Sequence, residues 1–293
     1  MALDEDNFDL CQLAIAGMIG DYQHRSGFAQ YNRIVVDEAV RRGLIVPMES
    51  VTAIGDVADF LTMSIDPYLK GLTGNREAVE RALGDMPHTL ELGDSDLARR
   101  LEALVVDNLR SNNVSQGEID GLLRTRWWLR DFGVDAGCLC DVLDACGRLD
   151  RADLSLGKPL FDGFRGAIIE QFQEVERNGV VQMENLQYFV HHTPSSGGLI
   201  ATAVLKFFGC DTKPVVALMD MGDFINLSSR SNQRILDQGI ALNQVLTAVA
   251  PAHGAQCGGH PKASGGTLLP GTMEAFLKDL DAEMGRAKAA RGN

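Results

Sequence analysis

An α/β chain in two parts is predicted by three observations. Apolar residues recur at helical spacing through most of residues 8–150. From Leu160 onward, helical patterns alternate with short β-branched and aromatic runs. Within that part, the runs from Pro214 to Met219 and from Phe224 to Ser228 meet at Gly222 with hairpin spacing. The boundary falls between 159 and 160, with a largely helical region before it and an α/β module with its own mixed sheet over 160–293. A chain of 293 residues, 45% of them hydrophobic, is long enough to bury two cores.

Taken in order, Phe8 to Ile19 reads as an apolar helix that delivers Asp21 at its end. Asn32 is the expected N-cap of the next helix, which runs through Val35, Val36 and Val40 and stops at Gly43. Glu49 to Ser64 is expected to form a further helix with a glycine interruption, ended by Asp66-Pro67. Thr73 to Glu77 reads as a turn and N-cap. Leu97, Leu101, Leu104 and Val105 mark one helix face behind Asp94 or Ser95 as cap. Ser115 and Glu118 have capping-box spacing ahead of Ile119, Leu122 and Leu123, so residues 75–150 are expected to be largely helical.

Arg124, Arg126 and Arg130 surround Trp127-Trp128. Such interleaving suits a single nucleic-acid strand, but a core tryptophan with arginines reaching outward has the same pattern, and that second reading is adopted. Cys138, Cys140 and Cys146 fall on an apolar helix without His or Cys partners for a zinc tetrahedron, and are read as buried thiols. Beyond residue 160 the expected elements are a helix to about Glu176, a strand from Gln187 to His191 and a helix from Leu199 to Phe208. The two hairpin strands follow, then a helix from Gln233 to Val249, a glycine loop, a short strand at Thr267 to Leu269 and a last helix.

Composition excludes several classes. No run of eighteen apolar residues exists, and Asp4, Glu5 and Asp6 stand where an export signal would be basic, so a cytoplasmic protein with no membrane partner is expected. The six cysteines lack the paired spacing of a disulfide framework. A net charge of −13 argues against general DNA coating, so any nucleic acid needs a local basic groove.

One such island exists. Between Ser228 and Gly266 three cations, Arg230, Arg234 and Lys262, face a single acid, Asp237. This stretch opens with Ser228-Ser229-Arg230 and closes with Cys257-Gly258-Gly259-His260-Pro261-Lys262-Ala263-Ser264-Gly265-Gly266. Paired glycines let backbone N–H groups approach an anion, His260 and Lys262 add directed donors, and Arg230 supplies a planar charged fork. A metal reading of His253, Cys257 and His260 lacks a fourth ligand. No Gly-x-Ser-x-Gly elbow, Walker loop or complete dinucleotide fingerprint is present.

The order Ser-Ser-Arg, amphipathic helix, Gly-Gly-His-x-x-Ala-x-Gly resembles the DHH-associated domain of the DHH phosphoesterases, whose best-known branch is the RecJ exonucleases. Three further stretches are similar to this family and to its archaeal GINS-associated nucleases. They are Ala14-Ile15-Ala16-Gly17-Met18-Ile19-Gly20-Asp21, Asp66-Pro67-Tyr68-Leu69-Lys70-Gly71-Leu72-Thr73-Gly74-Asn75-Arg76-Glu77 and Leu143-Asp144-Ala145-Cys146-Gly147-Arg148. The resemblance implies that residues 1–159 are the C-terminal part of a DHH-type catalytic domain plus a helical region, and 160–293 the DHH-associated domain. It implies substrate phosphate held by Ser228, Ser229, Arg230, Gly258, Gly259, His260 and Lys262, with Asp21 as a ligand of a two-ion manganese (or magnesium) site. Single-stranded DNA or RNA would be the substrate, and GINS-type replication proteins or a separate N-terminal half the protein partners.

Departures temper this. The Rossmann-like segment in which relatives hold an Asp-x-Asp pair, a separate Asp and an Asp-His-His triplet has no counterpart, and His191-His192 follows Val190 rather than an aspartate. One carboxylate cannot hold two ions, so the chain alone is expected to be inactive. Cys257 and Ser264 stand where relatives more often have Gly and Ala, and are expected to loosen the phosphate loop. The expectation is therefore the C-terminal portion of a manganese-dependent single-strand exonuclease. A non-catalytic replisome scaffold and a small-nucleotide phosphodiesterase are the alternatives.

Overall fold

A computed structural model describes residues 5–24, 27–150, 157–192, 196–208 and 211–291. The chain forms two compact units, one of Met1–Ser64, Leu69–Ser111 and Gln116–Gly166, the other of Ile65–Tyr68, Asn112–Ser115 and Ala167–Asn293. No helix among the described residues is long and apolar enough to cross a membrane.

In the first unit a 3₁₀ turn at Glu5–Leu10 leads into α1 (Cys11–Gly20), followed by α2 (Gln30–Arg41), strand β1 (Ile45–Glu49), β2 (Gly55–Asp56) and α3 (Val57–Thr62). Next come α4 (Arg76–Leu83), β3 (Thr89–Leu90), α5 (Ser95–Ser111), α6 (Gln116–Asp120), β4 (Thr125–Leu129), β5 (Val134–Asp135) and α7 (Ala136–Arg148). Strands β1, β4 and β5 form an antiparallel sheet in that order. Ile15, Ile19, Val36, Ile45, Trp127, Leu129 and Leu139 build one apolar core from α1, α2, this sheet and α7.

Local signals are obeyed where they are self-contained. Asn75 accepts the N–H of Ala78 and Asp94 that of Leu97, each capping a helix through its own side chain. Two expectations fail. Asn32 lies inside α2, whose cap is Ala29, and its amide donates instead to the side chain of Gln23. Residues 45–49 are a strand, and the helix expected from Glu49 shrinks to Val57–Thr62. Residues 75–150 are largely helical, as expected, through α4, α5, α6 and α7, while the tryptophan pair sits on β4, paired with β1. Both strands are specified by each other across some eighty residues, which no local periodicity reports.

Trp127 is 8% exposed, as a core anchor should be, yet Arg126 points inward beside it and is 6% exposed. Its Nη1 lies 3.4 Å from Asp135 Oδ1, its Nη2 donates to the carbonyl of Val51 at 2.6 Å, and the guanidinium covers the ring of Phe60. The same Asp135 oxygen accepts the N–H groups of Gly137 and Cys138, capping α7. One carboxylate thus compensates a buried cation and starts a helix. Asp135→Ala is predicted to destabilise the protein by about 3–5 kcal/mol in denaturant titration, because it strands a buried charge. Arg126→Met, which removes charge and keeps volume, is predicted to cost clearly less.

Helix α7 also carries Cys138 and Cys140. Burial, then Asp141, Asp144 and Asp21, push the Cys140 thiol up to about 11. A thiol raised in the folded state stabilises below its ordinary value near 9 and loses that contribution as pH rises through its folded value. Alkylation of Cys140 in the native protein is therefore predicted to be slow at pH 8 and to accelerate toward pH 11, with stability falling over the same interval.

The main run of the second unit starts within α8 (Gly157–Asn178) and continues with β6 (Val181–Gln182), β7 (Gln187–Val190), α9 (Gly197–Phe207), β8 (Val215–Asp220) and β9 (Ile225–Arg230). After these come α10 (Gln233–Asp237), α11 (Leu242–Val249), a 3₁₀ turn at Ala250–His253, β10 (Gln256–His260), β11 (Ala263–Leu268) and α12 (Met273–Arg291). The six strands form one mixed sheet in the order β10-β11-β9-β8-β7-β6, in which only β7 and β8 run parallel, joined through α9. The helix expected over Gln233 to Val249 is two helices, separated by Gly239 at φ +97. The glycine loop is no loop: it is the antiparallel hairpin β10–β11, turning at Pro261-Lys262.

Strand alternation assigns the two faces of this sheet. Ile225, Leu227, Ser229, Val216, Leu218, Ser264 and Leu268 share one face and are buried. Helix α11 packs against β10, β11 and α12. The opposite face is covered by α9 over β8 and β9, while Gly258 and His260 on β10 remain exposed.

Candidate functional site

The antiparallel registers Ser228↔Gly265, Arg230↔Ala263, Gly265↔Gly258 and Ala263↔His260 set these residues side by side on the α9 face. Gly258, Gly265 and Ala263 give this shelf an almost bare floor. A Cβ built on Gly258 would meet nothing within 4 Å, so the floor there is open space rather than packing. Arg230, Ser228 and His260 border the floor, and Lys262 stands exposed in the hairpin turn with its carbonyl accepting the N–H of Ser231.

Ser229 goes the other way. It is 0% exposed on the opposite face, and its hydroxyl donates to the carbonyl of Ser264 at 2.8 Å. Of the sequence-derived set, Ser228, Arg230, Gly258 and His260 are thus brought together on one face, while Ser229 and Gly259 belong to the fabric beneath. Gly259 has φ +134, and a Cβ there would fall 2.7 Å from the carbonyl oxygen of Ala263, so only glycine permits the hairpin to close. Ser264 does not loosen the hairpin: its hydroxyl donates to the carbonyl of His260 at 2.7 Å. Arg234 faces Asp211 at 3.6 Å, which leaves Arg230 and Lys262 as the cations nearest the shelf.

Sequence reasoning missed the other wall. Helix α9 follows strand β7, and its first turn lies against Ser228 and Arg230 of β9. Its first two residues are Gly197 and Gly198. A Cβ on Gly198 would sit 2.9 Å from Cζ of Arg230 and closer still to Nη2. A Cβ on Gly197 would sit 2.7 Å from Nε2 of His191 and 3.4 Å from Oγ of Ser228. Guanidinium and imidazole therefore lie directly on the first turn of the helix, whose leading N–H groups carry partial positive charge. His191 is buried on the shelf side; His192 is exposed. The signal was present as Gly-Gly five residues beyond His-His, but its meaning depends on Arg230 arriving from another strand.

Together these groups form a cationic, donor-rich surface with a glycine floor. Arg230 donates one Nη1 hydrogen bond to the carbonyl of Ser229 at 2.8 Å, which fixes the plane of its fork. A planar fork beside a helix N-terminus is suited to tetrahedral oxyanions.

Asp21 is exposed at the C-terminus of α1, where Gln23 donates to its Oδ2 at 3.3 Å. Among the described residues no group of three or more His, Cys, Asp and Glu side chains could hold a metal ion. The described residues therefore do not fit a two-ion centre. Asp279-Leu280-Asp281 has the letters of an Asp-x-Asp pair, but Asp279 binds His253 at 2.9 Å and Asp281 accepts the N–H groups of Asn185 and Leu186. The bond from His253 to Asp279 agrees with setting aside a metal reading of His253, Cys257 and His260.

Residues 186–286 match the family model described as DHHA1 domain. An uncharacterized protein of Methanocaldococcus jannaschii is 26% identical over 295 residues, covering 95% of this chain. This chain spans 64% of that relative's length. CDC45 from Entamoeba histolytica superposes with a TM-score of 0.55 at 8% identity, over 95% of this chain and 69% of that one. RecJ in complex with Mg²⁺ from Thermus thermophilus gives a TM-score of 0.48 at 14% identity, over 96% of this chain and 35% of that one. The fold is α/β, and five strands of its C-terminal mixed sheet, β7 to β11, lie within the stretch that matches the DHHA1 domain.

Proposed function

We propose that this chain is the substrate-holding part of a DHH-family, RecJ-like nucleic-acid phosphoesterase, and that its C-terminal unit binds a phosphate of single-stranded DNA or RNA. The observation that carries this reading is the convergence of Arg230 and Ser228 with the first turn of α9, on the sheet face that also carries His260. Arg230 is the principal anion ligand, His260 and Lys262 are flanking donors, and the bare floor at Gly258 and Gly265 admits a sugar-phosphate backbone. The DHHA1 match over 186–286 supports the family, and the likeness to CDC45 supports the fold. Manganese or magnesium is the metal this reading calls for. Asp21 is its one candidate ligand in this chain, and phosphodiester hydrolysis needs a ligand set that the described residues do not supply.

A second reading is a non-catalytic replisome scaffold that binds GINS-type proteins, which the CDC45-like fold supports. A small-nucleotide phosphodiesterase would instead prefer dinucleotides to long strands.

Binding of a labelled, 5′-phosphorylated single-stranded oligonucleotide, followed by anisotropy, tests the reading. Arg230→Ala is predicted to weaken binding at least tenfold, about 1.4 kcal/mol. Gly198→Ala, whose added methyl would meet the guanidinium, is predicted to weaken it several-fold by displacing Arg230. The logarithm of affinity is predicted to fall linearly with the logarithm of salt, with the slope of a few phosphate contacts. Binding indifferent to both substitutions would reject the site. With manganese added, the purified chain is predicted to leave end-labelled DNA intact; cleavage abolished by Asp21→Ala would show a working metal centre and reverse that part of the proposal.

A further inference from the structure

The two ends of the C-terminal sheet differ in character. Ala263, Arg230 and Val215 stand level with one another at the shelf end, and Leu268, Ile225 and Asp220 stand level at the other. From Arg230 to Ile225 is five residues of strand, about 17 Å. At that second end the buried face of the sheet opens into a pocket of about 330 Å³, whose walls include Val190, Leu218 and Ile225 from the strands, Met273 from α12, and the carboxylates of Asp220 and Glu274. Leu218 and Ile225 are buried, but Val190 at the end of β7, Met221 and Phe224 in the β8–β9 turn, and Leu269 just past β11 are each between 38% and 52% exposed. Phe224 and Leu269 adjoin the paired residues Ile225 and Leu268, and Val190 is paired with Leu218, so all four belong to the same sheet end. Large apolar side chains gathered in water mark a surface that meets another molecule.

The carboxylates decide which kind of molecule. Asp220 is held in place by the N–H of Gly222, which donates to its Oδ1 at 2.8 Å, and Glu274 stands exposed in the first turn of α12. Asp223 is exposed in the turn between β8 and β9, and among the described residues no Lys, Arg or His lines the pocket. Acids without cations repel nucleic acid, whose affinity depends on neutralised phosphates. The volume lies at the lower end of the roughly 300–1,000 Å³ of small-ligand pockets, which suits an inserted side chain better than a cofactor. An apolar centre with a charged rim is the anatomy of a protein interface, and the rim's sign selects a partner of the opposite sign.

We infer that this end of the sheet is a docking surface for a protein partner that presents one aliphatic or aromatic anchor flanked by Lys or Arg. The anchor enters the pocket beside Val190 and Met273, and the flanking cations meet Asp220 and Glu274. A partner seated here leaves Arg230 and the glycine floor, at the opposite end, open to a second ligand.

The test titrates the full chain with fluorescein-labelled octapeptides that carry a single central Leu or Phe flanked on both sides by Lys, by Ser or by Glu, followed by anisotropy. A Lys-flanked peptide with Ala in place of the anchor controls for the net charge of −13. The Lys-flanked, anchored peptides are expected to bind saturably, about tenfold more tightly than the Ser-flanked or anchorless ones, and the Glu-flanked ones not at all. Val190→Ser and Glu274→Gln are each expected to weaken the anchored Lys peptides about fivefold at an unchanged melting temperature, and Arg230→Ala to leave them unaffected. No saturable binding of the anchored Lys peptides, equal binding of the anchorless or Ser-flanked ones, or affinity indifferent to both Val190→Ser and Glu274→Gln would overturn the proposal. A chain that dimerises in analytical ultracentrifugation and becomes monomeric on Val190→Ser would assign the face to a second copy and would also overturn it.

Discussion

The pairing of β9 between β8 and β11 fixes what the C-terminal sheet can hold. Side chains alternate along a strand, so a slip of one residue would turn Arg230 and Ser228 into the core beneath α11 and bring Ser229 to the surface. The register is held from both sides: by the apolar partners Leu218 and Leu227 on the buried face, and by the Ser229 hydroxyl donating to Ser264. Burial of Leu227 and Ile225 therefore determines where the guanidinium points. The three letters Ser-Ser-Arg have two destinations, and the pleat separates them.

Glycine is the second constraint, in two distinct roles. At Gly259 and Gly266 a Cβ would collide with the partner strand, so these positions serve the tight hairpin. At Gly197 and Gly198 the missing Cβ is replaced by the functional groups of His191 and Arg230. The first role shapes the sheet; the second lets charged side chains close on the start of a helix. A floor without side chains beside a fork of donors is a surface that accommodates a ligand's backbone rather than one that packs against protein.

Much of this was readable from sequence where the determinant is local. The caps at Asn75 and Asp94 and the hairpin turning at Gly222 follow from residue type and spacing. Strands β1 and β4 escaped because Ile45–Glu49 and Thr125–Leu129 specify each other at long range. The Gly-Gly-His segment read as a loop because glycine pairs usually break structure, yet here they form strands whose close approach requires them. Arg126, expected to reach outward, turned inward because Asp135 waits at the start of α7 to compensate it. Gly197 and Gly198 had no legible role until the fold brought Arg230 against them.

The central claim is that one face of one sheet, together with the first turn of α9, is where this protein meets a phosphate. Amide chemical-shift mapping of the isotope-labelled protein, titrated with a 5′-phosphorylated single-stranded oligonucleotide, tests it most directly. The account predicts the largest shifts at Gly197, Gly198, Ser228, Arg230, Gly258 and His260, with the buried-face residues Leu218 and Leu227 nearly still. Shifts centred on the first unit, around α2 or β4, with the α9 turn unmoved, would contradict it.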